Sequence, residues 1–427
     1  MIQTVLAFRS LLYRKRQYAS LFFICLFGSA VSLFSIFLSN GMIDSLSEKA
    51  MIYYGGDLVF MSSHNDERRI IDVDAKMELI RSLLPEDAVV TKRYDFSSES
   101  LTSFYYEGEE VLQRVIKGVN FSEEKFLFSK LNFLEGNYDI PKGSNKILIS
   151  EPIASKLGAS VGDEITLFLK TKVGYINTVQ LEISGIFQDS SVFGMFTTYM
   201  DLSFLLKAYG RQEDYANRIC MEFPKRKGIS KKMIVSLQKK LEEHFKMYPL
   251  VEDKRTFYFS GCPEDTCALI PLKANLNDVK ILKNAMTVVI AIIIAFLILI
   301  IVAGIGSTYR VIVMKRINEI GIYMAIGMKK NAIMQSILFE TLFLLVSGCF
   351  AGFILSLILC GAASSIKFTF IPAFSIFLTK GYLHPVLNSL ALFGILFTII
   401  VVTLITVFYS VRKCVNIMPC KAISSNE

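Results

Sequence analysis

The chain has 427 residues, 52% of them hydrophobic, with 46 Lys and Arg against 38 Asp and Glu and a net charge of +8. The apolar residues gather in four long runs, one near the start and three near the end, which excludes an ordinary soluble protein. The basic residues crowd the ends of those runs, which reads as membrane topology and argues against a nucleic-acid partner.

Residues 1–18 are predicted to form a cytoplasmic amphipathic entry helix, because Val5, Phe8 and Leu12 share a face that Arg9 and Arg16 avoid. Residues 19–43 follow as transmembrane helix 1. Its apolar run, Ala19–Leu38, exceeds a signal-peptide core and no small-residue cleavage site follows it, so we read it as retained. Helix is expected to continue through Met42–Tyr54 and to break at Gly55-Gly56. Residues 44–284 have soluble composition and are predicted to form an extracytoplasmic α+β domain with its stalk.

Within that domain, Asp57–Ser62, Ala88–Tyr106, Val111–Val119, Thr178–Phe187 and Arg218–Phe223 read as strands. Asp74–Leu84 (capped by Asp74), Phe121–Leu131, Asp201–Tyr209 and Ile229–Phe245 read as helices. Lys146–Leu169 reads as strand, helix, turn and strand. Ser150 is its expected cap, Pro152 lies in the first turn, and Gly158 and Gly162 act as stops.

The remaining transmembrane helices are placed at 285–309, 332–363 and 389–411, each meeting the roughly 20 residues a bilayer requires. Between them lie a cytoplasmic loop at 310–331 and an outer loop at 364–388, and a cytoplasmic tail spans 412–427. The inner-side positions carry Arg14, Lys15 and Arg16, then Arg310, Lys315, Arg316, Lys329 and Lys330, then Arg412 and Lys413. The outer loop has only Lys367 and Lys380, so both termini are expected in the cytoplasm. The fold class is membrane α-helical, four transmembrane helices in a 1+3 order with an inserted α+β extracytoplasmic domain.

Familiar catalytic signatures are missing. There is no G-x-x-x-x-G-K-[ST], H-E-x-x-H or G-x-S-x-G, and the three histidines are far apart in sequence. No catalytic residue, metal site or cofactor is expected on this chain. Of eight cysteines, only Cys262 and Cys267 look like a pair, a candidate disulfide outside the cytoplasm. Glu340 is the exceptional acid inside a span. It is a candidate coupling acid that either snorkels to the inner interface or pairs with a basic residue there. Gly304 and Gly306, and Gly348-x-x-x-Gly352, permit close helix packing, within the chain or with a second subunit.

The strongest signal lies in the 310–331 loop. Arg316 and Glu319 are three apart, side by side on a helix. Ile317, Ile320 and Met324 form an apolar stripe, Gly321 permits close backbone approach, and Gly327 can end the helix in the left-handed conformation. A short, half-apolar helix of this kind suits docking into a groove of a soluble partner.

These residues resemble the FtsX-like, macrolide-exporter-type ABC transporter permease family. Its pattern, approximately R-x-x-E-I-G-x-x-x-A-x-G followed by I and later E, is met by Arg316, Glu319, Ile320, Gly321, Ala325, Gly327, Ile333 and Glu340. The segment Ser150, Glu151, Ala154, Leu157, Gly158, Val161, Gly162 and Asp163 is similar to the family's ectodomain signature. Ala7, Arg9 and Leu11 resemble its entry motif, with Ser10 where the family has Asn, and Pro419 and Ala422 resemble its terminal motif.

The resemblance implies a separate ABC ATPase subunit that carries ATP and Mg, and a second permease copy or paralogue. It also implies a stalk at Met42–Tyr54 and Lys273–Asn284 beneath a two-lobed periplasmic core. By layout the chain is closest to lipoprotein-releasing permeases of the inner membrane, with lipids and a lipoprotein or other membrane-associated substrate as contacts. The alternatives are a macrolide or peptide efflux permease working with a periplasmic adaptor, and a signalling permease that activates a cell-wall hydrolase. A receptor or adhesin without an ATPase would leave the loop motif unexplained.

Overall fold

The computed structural model describes residues 13, 15–64, 68–97, 102–113, 115–189, 191, 193–225, 229–259, 265–276, 280–368 and 372–415. It divides into a unit of Met1–Met42, Lys283–Ile366 and Leu383–Glu427 and a unit of Ile43–Leu282 with Lys367–Tyr382.

Four long helices, Lys15–Tyr54, Lys280–Lys315, Lys330–Ser365 and Ser389–Val415, supply the first unit, the first of them up to Met42 and the second from Lys283. Each contains a stretch long and apolar enough to cross a membrane. The helices are hydrophobic all round, as lipid requires. Leu21, Leu33, Phe37, Ile305, Leu345 and Ile399 face one another, while Phe296, Phe350 and Phe393 face outward.

Buried hydroxyls are satisfied locally. Ser32 Oγ donates to Gly28 O at 2.8 Å and Ser356 Oγ to Phe353 O at 2.7 Å. Gly348 and Gly352 pack on the first helix at Cys25, Ser29 and Leu26, where a Cβ on Gly352 would lie 2.6 Å from Leu26 O. Gly304 faces Ile24 of that helix, and Gly306 faces Thr406 of the fourth. All four glycines therefore serve packing inside the chain.

The second unit carries a mixed sheet of twelve strands among the described residues. They are β1 (Leu58–Ser62), β2 (Val89–Ser97), β3 (Ser103–Tyr106), β4 (Glu109–Leu112), β5 (Val115–Val119), β6 (Phe133–Gly136), β7 (Lys146–Ser150), β8 (Glu164–Lys170), β9 (Ile176–Phe187), β10 (Thr197–Asp201), β11 (Arg218–Glu222) and β12 (Cys267–Pro271). The order is β12-β1-β11-β2-β5-β10-β7-β9-β8-β3-β4, with β6 paired to β9. Only β10/β5 and β7/β9 run parallel among the paired strands described.

Two large cores flank the middle of this sheet. One joins β1, β2 and β11 to helices Val73–Leu83 and Lys231–Glu242. The other joins β7–β10 to helices Glu151–Leu157 and Leu202–Tyr209. Strand β2 serves both, since Val89–Arg93 pairs with β11 and Tyr94–Ser97 with β5.

Several local expectations change. The 88–106 run is two strands, β2 and β3, and 111–119 is β4 and β5. Hydrophobic periodicity marks extended chain but not a change of partner. Here β4 closes a hairpin on β3 through Glu107 and Gly108, whereas β5 pairs with β2 and β10.

The short helix expected within Phe121–Leu131 is present as Lys125–Phe128. Asp74 is no cap: Asp72 holds that position without a side-chain bond, and Asp74 pairs with Lys92 at 2.8 Å. Ser150 sits at a helix start, but its hydroxyl donates to Met195 O at 3.2 Å. Gly158 ends that helix with φ 68°. The second stalk segment is a short helix, Leu272–Asn275, and the helix starting at Lys280, with 277–279 outside the described residues.

Candidate functional site

The second membrane helix ends at Lys315, and a nine-residue helix, Ile317–Ala325, starts at once. Arg316 is the break, with φ −100° and ψ 8°, and its guanidinium ties the corner together. Nη1 donates to Glu340 Oε2 at 2.7 Å and to Tyr18 Oη at 3.0 Å, and Nε reaches Glu319 Oε2 at 3.4 Å. The Tyr18 ring lies 6.3 Å from that of Tyr309, whose hydroxyl donates to Ile337 O at 3.3 Å.

One cation thus joins the first, second and third membrane helices to the short helix. Glu340 is 2% exposed, and a carboxylate that deep is tolerable only when paired. Of the two readings of Glu340, snorkelling or pairing, the structure shows the pair, with Arg316.

The stripe expected to meet a partner faces elsewhere. Ile320 and Gly321 are buried, and Ile320 joins Ile333 and Ile337 in the membrane core, with Met324 packed beside them. The opposite face is open. Ile322 is 56% exposed and Ile326 75%, and Ala325 between them in sequence is exposed as well. Ile322 and Ile326 are four apart, so helical spacing alone could have found this ridge. Only the bundle shows which of the two apolar stripes is free. Gly327 has φ 90°, and Met328 N–H bonds back to Tyr323 O at 2.9 Å, which closes the helix.

The second unit has its own charged junction, at the end of the first helix. Lys49 Nζ donates to Ser375 O at 2.5 Å and lies 3.3 Å from Asp189 Oδ1, while Tyr53 Oη donates to Asp189 Oδ2 at 2.7 Å. Ser45 Oγ meets Thr379 Oγ1 at 3.0 Å, and Glu48 meets Lys130 at 3.2 Å. The loop Lys367–Tyr382 is therefore strapped onto the same helix that enters the sheet.

That helix ends at Gly55 and Gly56, whose N–H groups both turn back to Met51 O, at 3.0 and 2.7 Å. Its free Ile52 carbonyl receives Arg93 Nη1 at 3.0 Å. A cation at a helix C-terminus matches both the orphan carbonyl and the helix dipole. Arg93 is fully buried, sits where β2 changes partners, and is neutralised by Glu124, with Nε 2.9 Å from Oε1.

Charge around this junction is finely set. Burial pushes Asp95 up, but Arg218 at 3.0 Å and Lys117 at 2.8 Å more than offset it and hold its carboxyl at about 2. Burial, with Glu124 adding to it, pushes Glu222 up to about 7, and burial also raises Asp57. Sequence reasoning located the Gly55-Gly56 break but missed Lys49, Arg93, Glu124, Asp189 and Glu222. Their partners lie tens to hundreds of residues away, and no local pattern announces them.

Cys267 is buried on β12, with Sγ 3.6 Å from Ser62 Oγ, and Cys262 lies outside the described residues. Among the described residues no group of three or more His, Cys, Asp and Glu could hold a metal ion.

Two family models match the chain. The FtsX-like permease C-terminal model covers residues 291–419, taking in the Arg316–Glu340 knot and the last three membrane helices. The MacB-like periplasmic core domain model covers residues 22–238, from within the first helix through β11. Comparison with curated proteins gives no match. The chain therefore belongs to the FtsX/MacB-type ABC transporter permeases, multi-pass inner-membrane proteins with an extracytoplasmic domain, in which ATP hydrolysis lies in a partner subunit.

Proposed function

We propose that this permease converts ATP hydrolysis by a separate ATPase chain into movement of its extracytoplasmic domain, and that the movement releases lipoproteins from the inner membrane. The observation that carries the coupling step is the knot under the exposed ridge. A partner that grips Ile322, Ala325 and Ile326 pulls on Arg316, and through it on three membrane helices at once.

In this reading both termini are cytoplasmic, ATP and Mg sit on the partner, and a second permease copy or paralogue completes the complex. The first helix, continuous from Lys15 to Tyr54, carries the motion to Arg93 and Asp189. Lipoprotein release suits a sizeable outer domain driven by an ATPase in a partner subunit. The test is ATPase stimulation in the purified complex. Ile326→Asp and Glu319→Lys are expected to abolish most of it, and full stimulation in both would remove the docking role.

The match to a MacB-like core favours a second reading, efflux through a periplasmic adaptor. Reconstituted vesicles separate the two. ATP-dependent transfer of an acylated protein to a soluble acceptor supports release. Adaptor-dependent drug or peptide extrusion, without that transfer, supports efflux.

A further inference from the structure

The third and fourth membrane helices leave a groove between them, toward the ends that carry Lys330 and Arg412. Phe339 and Leu342 form one wall and Leu404 and Ile405 the other, with Gln335 and Tyr409 as the polar residues of its lining, around a cavity of about 510 Å3. From Gln335 to Leu342 the groove runs about 10 Å along the helix.

We infer that this groove holds one acyl chain of an anionic phospholipid of the cytoplasmic leaflet, with its phosphate met by Arg412, Lys329 and Lys330. The inference rests on the proposed orientation, which places those three residues in the cytoplasm.

Two observations choose this occupant. The first is the character of the walls. Helices that pair in lipid need small residues at the contact. Here the walls are Phe, Leu and Ile, while Gly304, Gly306, Gly348 and Gly352 are already used inside the chain. A groove walled by bulky side chains, without the small residues enriched where helices pair in lipid, suits a flexible hydrocarbon chain better than a closely packed partner helix.

The second is charge. Arg412 lies three residues past Tyr409, on the same helix face, and it is exposed, as are Lys329 and Lys330 at the start of the third helix. Tyr409, 62% exposed, is the amphipathic ring expected at headgroup depth. Basic clusters between helix ends on the cytoplasmic side select anionic headgroups.

Native mass spectrometry of the full-length chain, with added phosphatidylglycerol or phosphatidylcholine, tests this. The expected result is one phosphatidylglycerol held per chain at concentrations where phosphatidylcholine is lost. Arg412→Gln should weaken that binding about fivefold, the worth of one basic residue near an anionic surface. Ile405→Trp, at an exposed position of the groove wall, should fill the groove and remove the phosphatidylglycerol as well. Equal retention of the two lipids with Arg412→Gln unchanged would overturn the proposal. So would oxidative cross-linking of Ile405→Cys to a second copy in a sample that retains no lipid. Lipid retention by this chain needs no ATPase, so failure here leaves the coupling reading standing.

Discussion

Replacing Arg316 by Met leaves Glu340 in the membrane core without its guanidinium. Breaking a buried ion pair by removing one partner costs about 3–5 kcal/mol, because the remaining charge stays desolvated. The Glu319 contact, at 3.4 Å and half exposed, adds at most a few tenths of a kcal/mol. The short helix Ile317–Ala325 is too brief to persist alone, so most of this loss should appear as local opening.

A cost of 3 kcal/mol corresponds to on the order of 100-fold in the open population. Amide hydrogen exchange over residues 317–327 in the full-length chain reads this directly. Protection should fall on the order of 100-fold in Arg316→Met. It should recover by most of that factor in Arg316→Met/Glu340→Gln, where no buried carboxylate charge remains. Unchanged protection in the single variant, or purely additive losses in the double, would refute the knot as the element that holds the helix.

Other outcomes follow from the same geometry. Gly352→Leu should lower thermal stability in detergent by about 1–3 kcal/mol through overpacking against Leu26 and Ser29. Gly361→Leu, on the same helix with open space around it, should have no such effect. Arg93→Met should destabilise the second unit by about 3–5 kcal/mol in denaturant titrations followed by circular dichroism, and Arg93→Met/Glu124→Gln should regain much of it. A single variant as stable as the parent would remove the junction's role.

Glu222 sets a pH dependence. Its folded-state value of about 7 exceeds the ordinary 4.5, so its contribution is complete below about 4.5 and is lost as pH rises through 7. The parent should therefore lose stability between pH 5 and 8, and Glu222→Gln should flatten that slope. Parallel curves for the two proteins would contradict the buried position of this acid. Asp95 has the opposite sign. Held at about 2, it stabilises above its ordinary value of 3.8 and loses that contribution as pH falls toward 2.

The membrane helices, the inserted mixed domain and the family were legible in the sequence because each rests on local quantities. Twenty apolar residues in a row must span or be buried, whatever the rest of the chain does. The loop motif from Arg316 to Gly327 is likewise a contiguous string, and Gly158 stops its helix by backbone preference alone.

What the sequence left open was which remote groups would meet. Arg316 and Glu319 are neighbours by helical spacing, but Glu340 and Tyr18 join them only because three membrane helices converge. The sequence offered the apolar stripe through Ile320 to a partner, but that stripe is buried against Ile333 and Ile337, and the open face is the ridge of Ile322 and Ile326. Arg93 reads in sequence as one more charge in a strand. It is the cap of the first helix because β2 changes partners there and Glu124 is brought beside it. Periodicity fixes what an element is, whereas the pairing energies of distant charges and backbone groups fix which element it touches, and those exist only once the chain is folded.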